Sequence, residues 1–191
     1  MTSKILKLTK FDVARSQLKT AIELWFHEGD PVSIHALASA AYEIIHVISK
    51  KRNPNRRDLI FDSIVIKDEY RKEANIRFKK HANFFKHALN DHDATIGFNP
   101  EATTFVILFT LVGLQFCVAD YNDEELAFQW WLNVHRPDLL TDNGKQSLTD
   151  LIRVDDFDKI QRLSKRDFLE AFLDARTLAR GHKLKVGLPR Y

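Results

Sequence analysis

Between Ala102 and Ala119 the chain reads ATTFVILFTLVGLQFCVA, a run without one charged side chain, and any fold it adopts must keep most of this segment away from water. Two solutions exist for such a segment: a bilayer-spanning helix, which needs about 20 apolar residues, or a helix enclosed by other helices. Thr103, Thr104, Thr110 and Gln115 dilute the run, and the acidic DYNDEE follows where a basic or aromatic anchor would flank a membrane. The expectation is a buried central helix, with a second copy of the chain as one cover for any surplus apolar surface, and no membrane partner.

The flanking sequence supplies the helices to enclose it. Breakers delimit five or more helical segments and no run of strictly alternating residues argues for a sheet, so the fold class expected is all-α, a helical bundle around one apolar central helix. FDVARSQLKTAIELWFHE stops at Gly29, and Asp30 then Pro31 give a cap and a favoured first position to PVSIHALASAAYEIIHVISKK. Ala36, Ala38, Ala40 and Ala41 in that second helix let a neighbouring backbone come close. After the basic turn KKRNPNRR, RDLIFDSIVI reads equally as a short helix or an extended connector; a long helix from about Lys67 to Leu89 follows, then the polar loop NDHDATIGFNP, with Pro100 opening the apolar helix. EELAFQWWLNVHR ends at Pro137, TDNGKQSLTDLI suggests a short helix, and Ser164 with Asp167 forms a capping pattern ahead of SKRDFLEAFLDARTLAR, which Gly181 ends. The chain reads as a single helical domain over 1–191, with 141–191 a C-terminal helical extension finishing in the basic tail HKLKVGLPRY.

The bulk properties narrow the functional classes. Twenty-nine basic against 26 acidic side chains leave a formal charge of +3, too small to demand a nucleic-acid partner by itself. The single cysteine, Cys117, excludes an intramolecular disulfide, fits a reducing compartment and lies within the apolar run as a small core residue. The opening MTSKILKLTKFDV has lysines but no apolar stretch or small-residue cleavage site after them, so the expected location is the cytoplasm.

One feature of the long helix is not required by packing. At about 100° per residue, Tyr70, Ala74, Phe78, Phe85 and Leu89 gather on one side of DEYRKEANIRFKKHANFFKHAL, while Ile76, Lys80, Asn83 and His87 run along the other. ANFFKHA, with the preceding small-residue helix ending AAYEIIH, resembles the helical HEPN superfamily over approximately Ala21 to Ala119. That resemblance implies a homodimer of short bundles in which two polar helices border a cleft, used for RNA or nucleotides in many members; His87 would stand in it with Asn83 and Lys86 beside it. Nuclease members carry an Arg followed, after four to six residues, by a His. Here Ala82 stands where that Arg would precede Asn83, Arg77 is too far upstream, and the same spacing in Arg176 and His182 is of the kind chance produces.

These residues set the ligand-binding candidates as Lys80, Asn83, Lys86 and His87, and the reading as an RNA-, nucleotide- or protein-binding or regulatory module. Its rival is a metal-independent ribonuclease in which His87 acts as base near the 2′-hydroxyl and Lys80 and Lys86 stabilise the phosphorane charge. A structural bundle whose polar stripe does nothing specific is the third option. Lys50, Lys51, Arg52, Arg56 and Arg57, with Lys79, Lys80 and Lys86, could position a phosphate backbone, although basic residues at helix ends also serve the helix dipole alone. No metal or other cofactor is implied. Glu43 and His46 have the ExxH spacing of di-iron bundles without the required second pair, leaving His46 a core or interface histidine. The His92–Asp93 dyad lies in a polar loop, where HD phosphohydrolases place it on a packed helix. Of the adjacent Trp130 and Trp131, only one can point fully into a core, which leaves the other for a dimer contact or groove.

Overall fold

Short polar signals fix the helix ends. Thr9 and Asp12 exchange hydrogen bonds at the start of α1 (Lys10–Phe26), the Thr9 amide donating to the Asp12 carboxylate at 2.9 Å and the Asp12 amide to the Thr9 hydroxyl at 3.1 Å. At its other end the Gly29 amide donates to the Leu24 carbonyl at 2.9 Å, a helix-terminating turn in which the left-handed residue is Glu28 (φ 52°) and not a glycine. Gly29 sits close to the helix it follows: a Cβ there would lie 3.3 Å from Leu24 Cδ2, so that side chain would have to give by a few tenths of an ångström. Asp30 then caps α2 (Pro31–Arg52), accepting the Ser33 amide at 2.7 Å, with Pro31 in the first turn, as the sequence predicts.

The computed structural model describes residues 5–53, 72, 76, 79–87, 92–118, 120–140, 142, 145–146 and 154–181. The protein is all-α, and the described residues contain helices and no strand. Two compact units emerge, one of Met1–Trp25 with Gly29–Asp120 and one of Phe26–Glu28 with Tyr121–Tyr191. The division falls inside DYNDEE, upstream of the boundary near 141 read from the sequence.

In the first unit, α2 packs along α3 (Ala102–Leu114). The alanines explain the approach: Ala38 and Ala41 are fully buried, with Ile34 and Ile45 completing the inward face. From α1, Ala14, Leu18, Ala21 and Ile22 contribute the helical spacing of a buried face. Almost all of α3 is inaccessible, with Ile107, Phe109, Leu111 and Leu114 at zero exposure, so it is the central apolar helix expected. It is shorter than the apolar run. Its first amides bond to Asn99, Pro100 and Glu101 carbonyls, and turns replace the helix after Leu114. Thirteen residues extend about 20 Å, less than the ~30 Å hydrocarbon core of a bilayer. Among the described residues, the helix long and apolar enough to cross a membrane is instead α2, at 22 residues. Arg52 ends that helix by donating to the Cys117 carbonyl at 2.7 Å, with its guanidinium over the Phe11 ring.

In the second unit, α4 (Asp123–His135) begins with a reciprocal capping box, Asn122 and Glu125 bonding each other's amides at 2.8 Å, and ends before Pro137 with a 3₁₀ turn, Pro137–Leu139. It packs against α5 (Val154–Gln161) and α6 (Lys165–Gly181). Ser164 and Asp167 cap α6 as their spacing predicts, hydroxyl to carboxylate at 2.7 Å. RDLIFDSIVI, the tail HKLKVGLPRY and most of TDNGKQSLTDLI lie outside the described residues.

Candidate functional site

The segment carrying the polar stripe is helical through residues 79–84 and then turns, the Asn83 carbonyl accepting amides from both Lys86 (3.1 Å) and His87 (3.0 Å). His87 thus lies just beyond the helix and not within it. Ile76, Lys80, Asn83 and His87 are all exposed, as is Lys79, while Ala82 is buried and His81 and Phe85 are half-buried on the opposite side. Of the five residues expected to form the apolar side, Phe85 is described; Tyr70, Ala74, Phe78 and Leu89 lie outside the described residues.

Lys86 has a different task from its neighbours. Its ammonium reaches both carboxylate oxygens of Glu43 on α2 at 3.2 Å, tying the end of the stripe to that helix. Glu43 is one helical turn before Val47 and two before Lys50, and His46, Val47, Lys50 and Lys51 line a recess of about 470 Å³. The stripe's C-terminal end and the lysines closing α2 therefore belong to one face. Arg52, grouped with them in the sequence, is spent on the Cys117 carbonyl. No acidic residue interrupts the chain between Glu73 and Asp91, and the surplus of basic over acidic side chains falls in this first unit.

Beneath the stripe lies an arrangement that sequence reasoning missed. His35 of α2 is fully buried, its Nδ1 hydrogen-bonded with the Thr103 hydroxyl of α3 at 2.9 Å. Its ring is met edge-on by His81, Phe85 and Phe98, with centroids 5.9, 5.5 and 5.0 Å away. His81 Nε2 donates to the Gly97 carbonyl at 3.0 Å, so its Nδ1 is the nitrogen that faces the box. Among the described residues neither that nitrogen nor His35 Nε2 has a hydrogen-bond partner, although both are buried. Burial, then the charges of His81 and Lys86, push His35 down to about 4. The cluster is an aromatic box joining α2, the 79–87 segment, the 92–100 loop and α3. The signal available in the sequence was His35 and Ser39 on the alanine face of α2, polar residues where packing asks for apolar ones; both are buried.

The other candidates fall apart on placement. Glu43 is committed to Lys86, and His46 stacks on Tyr42 at 5.7 Å. His92 and Asp93 pair with each other at 3.0 Å on an exposed loop. Among the described residues no group of three or more His, Cys, Asp or Glu is arranged to hold a metal. Cys117 is half-buried, its thiol donating to the Gly113 carbonyl and pushed up by burial. Neither tryptophan is fully buried: Trp130 packs against Val134 and Leu140, and Trp131 stacks on His135 at 4.2 Å beneath Lys165.

No protein-family model, curated protein or solved structure matches this chain. The functional reading therefore stands on residues and their geometry, with the HEPN resemblance resting on ANFFKHA and AAYEIIH.

Proposed function

We propose that the protein is a cytoplasmic, homodimeric binding module that offers the face bearing Lys79, Lys80, Asn83 and His87, with Lys50 and Lys51 of α2, to single-stranded RNA. The observation that carries this reading is the segregation within residues 79–87: the cations and the amide face water, while Ala82, His81 and Phe85 anchor the same short segment from behind. An aliphatic lysine stem on a packed helix gives a positioned charge, and several such charges beside an amide suit phosphate contacts with adjacent polar readout. Lys86 meets Glu43 of α2 in an exposed ion pair, so it contributes to this face less directly than Lys79 and Lys80. The HEPN resemblance adds the expectation that two copies bring these faces together.

The test is equilibrium binding of a short single-stranded RNA across a salt series. The reading predicts that log Kd changes linearly with log salt, and that replacing Lys79 and Lys80 by Glu weakens binding and flattens the slope by about 0.7 per lost phosphate contact. Absence of binding at low salt refutes it. Metal-free cleavage of the same RNA, abolished in His87→Ala and retained in His46→Ala, would select the ribonuclease alternative.

A further inference from the structure

The second unit contains a groove that the reading above does not use. The walls come from Trp130 and Val134 of α4, Ile160 of α5, and Phe168 and Phe172 of α6, around a cavity of about 270 Å³ whose lining is almost wholly apolar. Two of the walls are tied together by hydrogen bonds: the Gln161 amide donates to the Val134 carbonyl at 2.8 Å, and His135 Nε2 lies 3.2 Å from the Gln161 carbonyl. The shape is thus set by hydrogen bonds between the ends of α4 and α5 as well as by side-chain packing.

One charged residue contributes to this lining, Arg176. One turn further along α6 stands Arg180. Both donate to the same oxygen of Asp123, Arg176 Nε at 3.3 Å and Arg180 Nη2 at 2.8 Å. A single carboxylate, placed in the first turn of α4 where the helix dipole also favours it, leaves the pair with a surplus positive charge and unfilled donors. Among the described residues neither arginine meets a second acid. The groove is therefore apolar along its length and anion-seeking at one end. Its volume lies just below the ~300–1,000 Å³ usual for small-molecule sites, which suits one thin hydrocarbon chain better than a fused-ring ligand.

We propose that this groove binds a medium-chain fatty acid, the chain lying along Trp130, Phe168 and Phe172 and the carboxylate meeting Arg176 and Arg180. Burial of the hydrocarbon supplies affinity, and a charge-assisted hydrogen bond to the guanidinium pair selects the headgroup. The site is separate from the proposed RNA face, and neither reading depends on the other.

The experiment is calorimetric titration of the full chain with laurate below its micellar concentration, with dodecyltrimethylammonium as a headgroup control. Saturable laurate binding is expected. In Ala175→Trp, which puts an indole into the groove from a position that is itself exposed, the affinity falls by about tenfold or more. Replacing Arg176 and Arg180 together by Gln weakens laurate by roughly tenfold and leaves dodecyltrimethylammonium no weaker than before. Circular dichroism of each variant checks that helicity is retained; should the arginine variant lose it, Ala175→Trp decides alone. The proposal is overturned by absence of saturable binding, by equal affinity for the two headgroups, or by a folded Ala175→Trp protein that binds laurate as wild type does. Laurate binding that appears only after residues 182–191 are removed, or a dimer that excludes laurate, likewise overturns it in favour of those occupants.

Discussion

Acidification from pH 7 to pH 5 should destabilise the first unit by about 2 kcal/mol through His35 alone. The native ring is enclosed by Phe85, Phe98, His81 and α3, so its pKa falls from 6.5 to about 4. An unfolded chain has no such enclosure and takes up a proton as pH drops through 6.5, while the native state does not. Stability is thus fully present above 6.5, declines as pH falls below it, and stops declining beneath about 4, where both states are protonated. The complete loss is roughly 3.4 kcal/mol at ~1.36 kcal/mol per pH unit, and a little over half of it falls between pH 7 and 5. Native-state hydrogen exchange of the Val106–Leu111 amides, corrected for intrinsic rates, reports on α3 and so on this unit. In His35→Gln the non-titrating amide removes the linkage, and the pH 7 to 5 loss should shrink by that amount even if the variant is less stable at both. Equal losses in wild type and variant would show that the proton is not excluded from this ring.

Two further perturbations probe the framework. Glu28 holds a left-handed backbone at the end of α1, so Glu28→Gly should stabilise the protein by about 1 kcal/mol; a thermal midpoint that is unchanged or lower would mean that the Glu28 side chain makes a compensating contribution. Phe109 is fully buried in α3 whereas Ile76 is more than half exposed. Truncating each to Ala should cost about 3–5 kcal/mol at 109 and less than about 0.5 kcal/mol at 76 in urea unfolding, and similar values would contradict the described orientation of these helices.

Much of the framework was legible because it is local. The Asp30–Pro31 start, the Ser164–Asp167 cap and the stop before Pro137 each depend on residues within one turn, and each is observed. The exposure of Lys80 and Asn83 was legible for the same reason, since a 3.6-residue period decides which side of a helix a residue occupies, whereas His87 is exposed in the turn beyond the helix. Where the apolar run stops being helical was not legible, because the turn after Leu114 is made by carbonyls that hydrophobicity does not encode. Nor was the partner of Lys86, since Glu43 is remote in sequence and the exposed ion pair is weak enough, below about 1 kcal/mol, to leave no pattern.

The sequence by itself determined an all-α chain, its caps and breakers, and the solvent side of Lys80 and Asn83, since periodicity and backbone preference act over a few residues. Tertiary structure alone decided that His35 and His81 share an aromatic box, that two arginines share one Asp123 oxygen at the mouth of an apolar groove, and that the chain divides at DYNDEE. Those depend on which helices become neighbours, and that choice is made by the summed burial of many side chains, with no single short stretch recording it.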